Sequence, residues 1–314
     1  MQTIFLSYPF ERQEPETNIV LAIGYFDGVH RGHQAVIGEA KLLAEELNAL
    51  PAVMTFHPHP REVLGQANIT RYLTPLPEKL EQFSKLGVAR AYVMKFDLSF
   101  ASLTKEEFVH QVLVPLGVRG VVTGFNFTFG RHAAGKADDL EGLGEGHFQA
   151  RIVQPIQTEG ITVSSTHLRQ ALAEGEMERA ARILGRNYLI EGTVVPGDQR
   201  GRLMGFPTAN LALTQPFLVP RRGVYVVRAR VAGKLAPGIM NIGVRPTFSD
   251  PTPRERLEVH LLGENADLYG QTMRVEFLHF IREERKFPSV EALIRQIRAD
   301  KQTAEEWLAT SFVE

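Results

Sequence analysis

Two histidines three residues apart, His30 and His33, stand in the run Gly24-Tyr25-Phe26-Asp27-Gly28-Val29-His30-Arg31-Gly32-His33-Gln34. Upstream, Asn18-Ile19-Val20-Leu21-Ala22-Ile23 reads as a buried strand; downstream, Ala35, Val36, Leu42, Leu43 and Leu47 recur at roughly helical spacing. A strand that passes through a glycine-rich turn into a helix is suited to handling phosphate. Gly24, Gly28 and Gly32 let backbone approach a ligand closely, and the helix start offers unpaired N–H groups and the positive end of a dipole. A spacing of three puts both imidazoles on one side of the first helical turn. There each can donate to a phosphate oxygen and, when charged, stabilise a pentacoordinate phosphoryl transition state. The same pair also reads as two histidines of an ordinary loop. With His57 and His59 it reads as a zinc set, but the chain has no cysteine and no His-Glu-x-x-His helix to support a metal.

Further groups with chemical potential follow. Val163-Ser164-Ser165-Thr166-His167-Leu168-Arg169 places three hydroxyls at an expected helix start, which accounts for N-capping alone; Arg169 adds a planar guanidinium able to clamp phosphate oxygens. Phe125, Phe127 and Phe129 alternate around Asn126 and Thr128, either as core aromatics at a strand end or as walls for a flat ring. Gly197, Gly201 and Gly205 with Arg202 form a basic loop that can fold over phosphates or serve as a plain barrel turn. Thr208 and Asn210, two apart, share a face if extended and offer two hard oxygens to a cation. In Leu257-Glu258-Val259-His260-Leu261, alternation puts Glu258 and His260 on one face, exposed to solvent or facing a substrate.

Two rhythms position these groups. From Ile19 to about Leu184, short apolar runs (Ile19–Ile23, Ala52–Phe56, Ala91–Phe96, Gly120–Gly124, Arg151–Pro155) alternate with helical patterns at His33–Asn48, Pro77–Leu86 and Lys105–Val114. That predicts an open parallel sheet, with Gly24–His33, His57–Pro60 and Phe125–Gly130 beyond the carboxyl ends of its strands. After Leu184 the β-type runs Leu189–Val195, Val224–Val231, Leu257–Leu262 and Met273–Ile281 predict a small antiparallel barrel or sandwich, and Pro288-Ser289-Val290-Glu291 opens one or two closing helices. Gly185-Arg186-Asn187 is the expected boundary, giving domains 1–184 and 185–314. A length of 314 residues suits two cores. With a net charge of −1 there is no long-range field for nucleic acid or an anionic membrane. No run reaches about 18 apolar residues and the first 16 residues lack a signal-peptide core, so a cytoplasmic protein is expected.

The glycine–histidine run resembles the nucleotidyltransferase signature of bacterial riboflavin kinase/FAD synthetases. Phe56-His57-Pro58-His59-Pro60, Phe96–Thr104, Gly124–Gly130, Ser164–Arg169, Gly201–Asn210, Asn241–Thr247 and Leu268-Tyr269-Gly270 resemble the family's later blocks in the same order, over nearly the whole chain. The resemblance implies a Rossmann-like nucleotidyltransferase sheet followed by a small antiparallel β-barrel with a C-terminal helix. It also implies phosphorylation of riboflavin to FMN in the second domain, and adenylyl transfer from ATP to FMN, giving FAD and pyrophosphate, in the first. By resemblance His30, His33 and Arg169 serve adenylyl transfer, with Gly24, Phe26, Gly32, Ser165 and Thr166 on that nucleotide and His59, Asn126 and Phe127 toward the flavin. Gly197, Gly201, Arg202 and Gly205 would meet the kinase nucleotide, Thr208 and Asn210 would hold Mg²⁺, and Glu258 would take the proton of the riboflavin 5′-hydroxyl. The implied partners are small molecules only (ATP, riboflavin, FMN), with neither nucleic acid nor membrane, on a monomer or weak homo-oligomer. Many relatives carry Asp in place of Asn126, and an Asp-Phe pair where this chain has Gly263-Glu264. A single-activity relative and a non-enzymatic flavin-binding regulator are the competing readings, separated by assays begun from riboflavin or from FMN.

Overall fold

The computed structural model describes residues 1–10, 18–66, 71–197, 205–245, 254–263 and 268–311. The chain divides into two compact units, Met1–Ser165 and Thr166–Glu314.

In the first unit, β1 (Gln2–Leu6), β2 (Ile19–Ile23), β3 (Leu50–His57), β4 (Arg90–Lys95) and β5 (Val118–Gly124) are followed by the short pair β6 (Thr128–Phe129) and β7 (Gly135–Lys136) and by β8 (Gln149–Val153). Six of them form one parallel sheet in the order β1-β4-β3-β2-β5-β8. The central strand β2 is buried along its whole length, as an unbroken Ile-Val-Leu-Ala-Ile run requires when both faces are covered. One face, with Val20, Ala22 and Val53, packs on Val36, Ile37, Ala40 and Leu43 of the helix Arg31–Glu46 and on Phe83. The other, with Leu21, Ile23, Met54 and Met94, packs on Phe108, Val109, Val112 and Leu113.

Two departures from the sequence pattern have physical causes. The pattern at Lys105–Val114 begins as an α-helix under a Thr104/Glu107 capping box, widens into a π turn at Val109–Leu113 and tightens to 3-10 at Val114–Leu116. Pro115 cannot donate the next helical bond, and Gly117 closes the segment at φ 72°. Strand β1 was not anticipated; five residues with an exposed Phe5 carry little alternation, and only pairing with β4 makes them a strand.

After the short hairpin β9 (Gln157–Thr158) and β10 (Ile161–Thr162) comes the helix Ser165–Glu174, which carries the chain into the second unit. There β11 (Tyr188–Val195), β12 (Ala209–Leu213), β13 (Gly223–Val231), β14 (Lys234–Arg245), β15 (Arg254–Leu261) and β16 (Thr272–Arg282) close an antiparallel barrel ordered β11-β12-β15-β14-β13-β16. Tyr225, Phe277 and Met240 are fully buried, with the Tyr225 and Phe277 rings 5.2 Å apart. The opposite face, at Val224, Val226, Ile239 and Leu278, is covered by Ala304, Trp307 and Leu308 of the last helix, Val290–Ser311. Asp300 of that helix, 3% exposed, receives Arg282 Nε at 2.8 Å and Nη2 at 2.6 Å, which fixes the helix to β16. The fold is therefore the expected sheet plus barrel with a single closing helix.

Candidate active sites

Beyond Ile23 the chain turns through Gly24–His30 into the helix Arg31–Glu46. Phe26 and Val29 adopt φ of 56° and 43° and Gly28 94°. Left-handed backbone costs a non-glycine residue of order 1–3 kcal/mol and persists only where packing imposes it. Here both side chains are anchored in the core, at 3% and 1% exposure. Gly24 has no room for a side chain, since a Cβ would stand 2.9 Å from Phe26 Cε1.

His30 caps the helix: its Nδ1 accepts the backbone N–H of His33 at 3.3 Å. An accepting Nδ1 carries no proton, so His30 in this arrangement presents Nε2–H as its donor. The two imidazoles are stacked, with centroids 3.5 Å apart and planes 17° from parallel. Gly32 permits it, because a Cβ there would stand 3.2 Å from His30 Cε1 and Nδ1.

Because β3, β2 and β5 are neighbours in the parallel sheet, the turns that follow them leave the same edge. From β3 comes His59, whose ring lies 4.0 Å from that of Tyr25 and whose Nδ1 accepts Arg61 N–H at 3.0 Å. Burial, then the Lys79 charge, lowers the His57 pKa, against a smaller raising effect of Glu62. From β5 come Phe125, 52% exposed, an exposed Asn126, a half-buried Phe127 and a buried Phe129 stacked on Phe127 at 5.8 Å. Phe129 is thus core, while Phe125 and Asn126 face solvent. Ser165 Oγ donates to the carbonyl of Asp27 in the glycine turn at 2.8 Å. Thr166 and Arg169 lie on the helix Ser165–Glu174, within the second unit. Among the described residues no group of three or more His, Asp or Glu is placed to hold a metal.

On the barrel, Asn210 of β12 and Asn241 of β14 are both register partners of Glu258 on β15, which puts three polar side chains in one row on one face. The apolar partners Ala209, Val259 and Met240 make the adjacent row. Arg256 Nη2 lies 2.8 Å from Glu258 Oε1, and its Nε is 3.5 Å from Asn210 Oδ1, so a guanidinium already sits against both oxygens. The Asn210 amide occupies the space a side chain at Gly197 would need. Thr208 immediately precedes β12, and His260 Nδ1 is 2.8 Å from the carbonyl of Pro207 beside it. A carbonyl only accepts, so His260 donates from Nδ1. Gly205 takes φ 82° in open space. Gly201 and Arg202 lie outside the described residues. In the sequence Asn241 stood out only as the first residue of the Asn241–Thr247 block, Arg256 did not stand out, and His260 had no function; the period-2 alternation of β14 and β15 was the signal for the face they share.

A parallel sheet with a glycine–histidine turn at its carboxyl edge, followed by a closed barrel with a carboxylate–amide row, defines a two-domain phosphate-handling protein of transferase type. Two family models match in tandem, FAD synthetase over residues 12–167 and riboflavin kinase over residues 184–308. The bifunctional riboflavin kinase/FMN adenylyltransferase of Bacillus subtilis (strain 168) is 42% identical over 307 residues, 97% of each chain. That of Listeria monocytogenes is 41% identical over 311 residues, 98% of this chain and 99% of the relative. A crystal structure from Streptococcus pneumoniae, described as a macrolide-efflux protein, matches with a TM-score of 0.88 at 32% identity, covering 98% of this chain and 100% of that one. The chain belongs to the family of bifunctional riboflavin kinase/FMN adenylyltransferases. Among the described residues no helix is long and apolar enough to cross a membrane.

Proposed function

We infer that this chain makes FAD from riboflavin in two ATP-dependent steps, in the cytoplasm. Residues 185–314 carry the kinase and residues 1–184 the adenylyltransferase. In the first step the riboflavin 5′-oxygen bonds to the γ-phosphorus of ATP, the γ-phosphorus to β-bridging-oxygen bond breaks, ADP leaves, and Glu258 takes the hydroxyl proton. In the second, a phosphate oxygen of FMN bonds to the α-phosphorus of another ATP and pyrophosphate leaves. That nucleophile is already an anion, so orientation and charge stabilisation suffice.

His30 and His33 donate to the transferring α-phosphate. Gly24, Phe26 and Gly32 shape the nucleotide turn, Ser165, Thr166 and Arg169 hold the departing phosphates, and His59, Asn126 and Phe127 meet the flavin side. In the kinase, Gly197, Gly201, Arg202 and Gly205 cover the nucleotide. Thr208 and Asn210 supply hard oxygens suited to Mg²⁺, and the Arg256 guanidinium 3.5 Å from Asn210 Oδ1 supports a positive group beside that oxygen. When bound, Mg²⁺ neutralises phosphate charge.

The observation that carries the reading is the pairing of Glu258 with Asn210 across two barrel strands, in a chain that also bears the stacked His30–His33 pair. Incubation with riboflavin, ATP and Mg²⁺ followed by flavin chromatography tests it. FMN and FAD are expected; neither appearing from folded protein overturns it.

A further inference from the structure

Lys79, on the helix Leu76–Lys85, is 2% exposed, and among the described residues no carboxylate lies within ion-pair distance of it. Its ammonium instead meets three neutral acceptors: the Tyr25 carbonyl at 2.7 Å, the Thr55 hydroxyl at 3.4 Å and the face of the Tyr25 ring at 3.9 Å. Thr55 Oγ1 donates to the same carbonyl at 2.9 Å. Tyr25 is the residue by which β2 enters the glycine turn, and its ring abuts His59. One buried cation therefore ties the helix, β3 and the turn together at the sheet edge where the phosphate-handling residues emerge.

We propose that Lys79 is a positioning residue for adenylyl transfer: by gripping the Tyr25 carbonyl and ring it sets the path of the glycine turn and seats Tyr25 against His59. This rests on the reading that the glycine–histidine turn performs that reaction. An apolar isostere would fill the same slot without desolvating a charge, so the fold alone gives no reason for an amine. Three acceptors suit three N–H groups; a neutral amine keeps two and fills the third place only by accepting from the Thr55 hydroxyl, which then gives up the Tyr25 carbonyl. Burial lowers the Lys79 pKa to about 8, with Asp27 opposing the shift, and after burial the Lys79 charge is the next cause that lowers the His57 pKa.

Lys79→Met in the full chain provides the test, with the chain's own riboflavin kinase activity and melting temperature measured in the same sample. The expected result is unchanged FMN formation, an equal or higher melting temperature, and kcat/KM for FAD formation from FMN down roughly 100-fold, with a larger effect on kcat than on KM for ATP. FAD formation within about twofold of the parent overturns the proposal. If the variant does not fold, the parent's own profile decides: FAD formation is expected to decline above pH 8 while FMN formation does not, and a flat profile to pH 9.5 overturns it. A parent that makes no FAD from FMN overturns the functional reading instead, so the two failures are distinguishable.

Discussion

His30 serves the helix through Nδ1, which closes the first turn, and the proposed chemistry calls on its other nitrogen. Replacing His30 and His33 by Ala removes both donors; FAD formation from FMN is expected to fall by 100-fold or more (roughly 3 kcal/mol of transition-state stabilisation) while FMN formation persists, as separate assays would read. Glu258→Gln is expected to give the reverse, abolishing FMN formation and sparing FAD made from supplied FMN. Gly32→Ala is a subtler probe. Its methyl must push the His30 ring, which stands 3.2 Å away, so about a tenfold loss of FAD formation is expected with little change in melting temperature. Lys79 makes a separate prediction for stability. Its folded pKa of about 8 lies below the unfolded value of about 10.4, so between these pH values the unfolded chain binds more protons and this group's contribution to stability rises with pH. Denaturant titrations at pH 8 and 10, comparing the parent with Lys79→Met, isolate that contribution.

At the scale of elements, the turn is only as well placed as the helix and strands that hold it. Gly120 on β5 lies under the helix Arg31–Glu46, where a Cβ would come within 2.7 Å of Leu43 Cδ2 and 3.1 Å of Val20 Cγ2. Gly120→Ala is expected to cost about 1–3 kcal/mol in chemical denaturation by lifting helix from sheet. On the barrel, His260 holds the Pro207 carbonyl through Nδ1. An asparagine amide nitrogen reaches roughly that place and a glutamine nitrogen does not, so His260→Asn is expected to retain more kinase activity than His260→Gln. The strand, turn and helix around His30 were legible because three signals agree there: an unbroken apolar strand, clustered glycines and helical periodicity. The Asn210–Glu258–Asn241 row was not, since period-2 alternation gives the face each residue shares but not which residue of the neighbouring strand stands opposite it. Strand β14 and the π turn at Val109–Leu113 escaped for a related reason, their form being decided by tertiary neighbours rather than local preference. Nothing in the sequence pointed to Lys79; the fold alone encloses it.

Over the whole molecule, FMN is the product of one proposed activity and the substrate of the other. An equimolar mixture of the His30→Ala/His33→Ala chain with the Glu258→Gln chain is therefore expected to convert riboflavin to FAD through dissolved FMN, although neither chain does so alone. Failure of the mixture to make FAD, with each variant retaining its single activity, would show that FMN does not pass between molecules. The sheet order has a further consequence, for biosynthesis. Strand β1 pairs with β4, whose residues begin at Arg90, and β2 gains its second neighbour only when β5, from Val118, is complete. A nascent chain leaving the ribosome must therefore carry β1, with Leu6 not yet buried, through the synthesis of more than eighty further residues before that strand can dock.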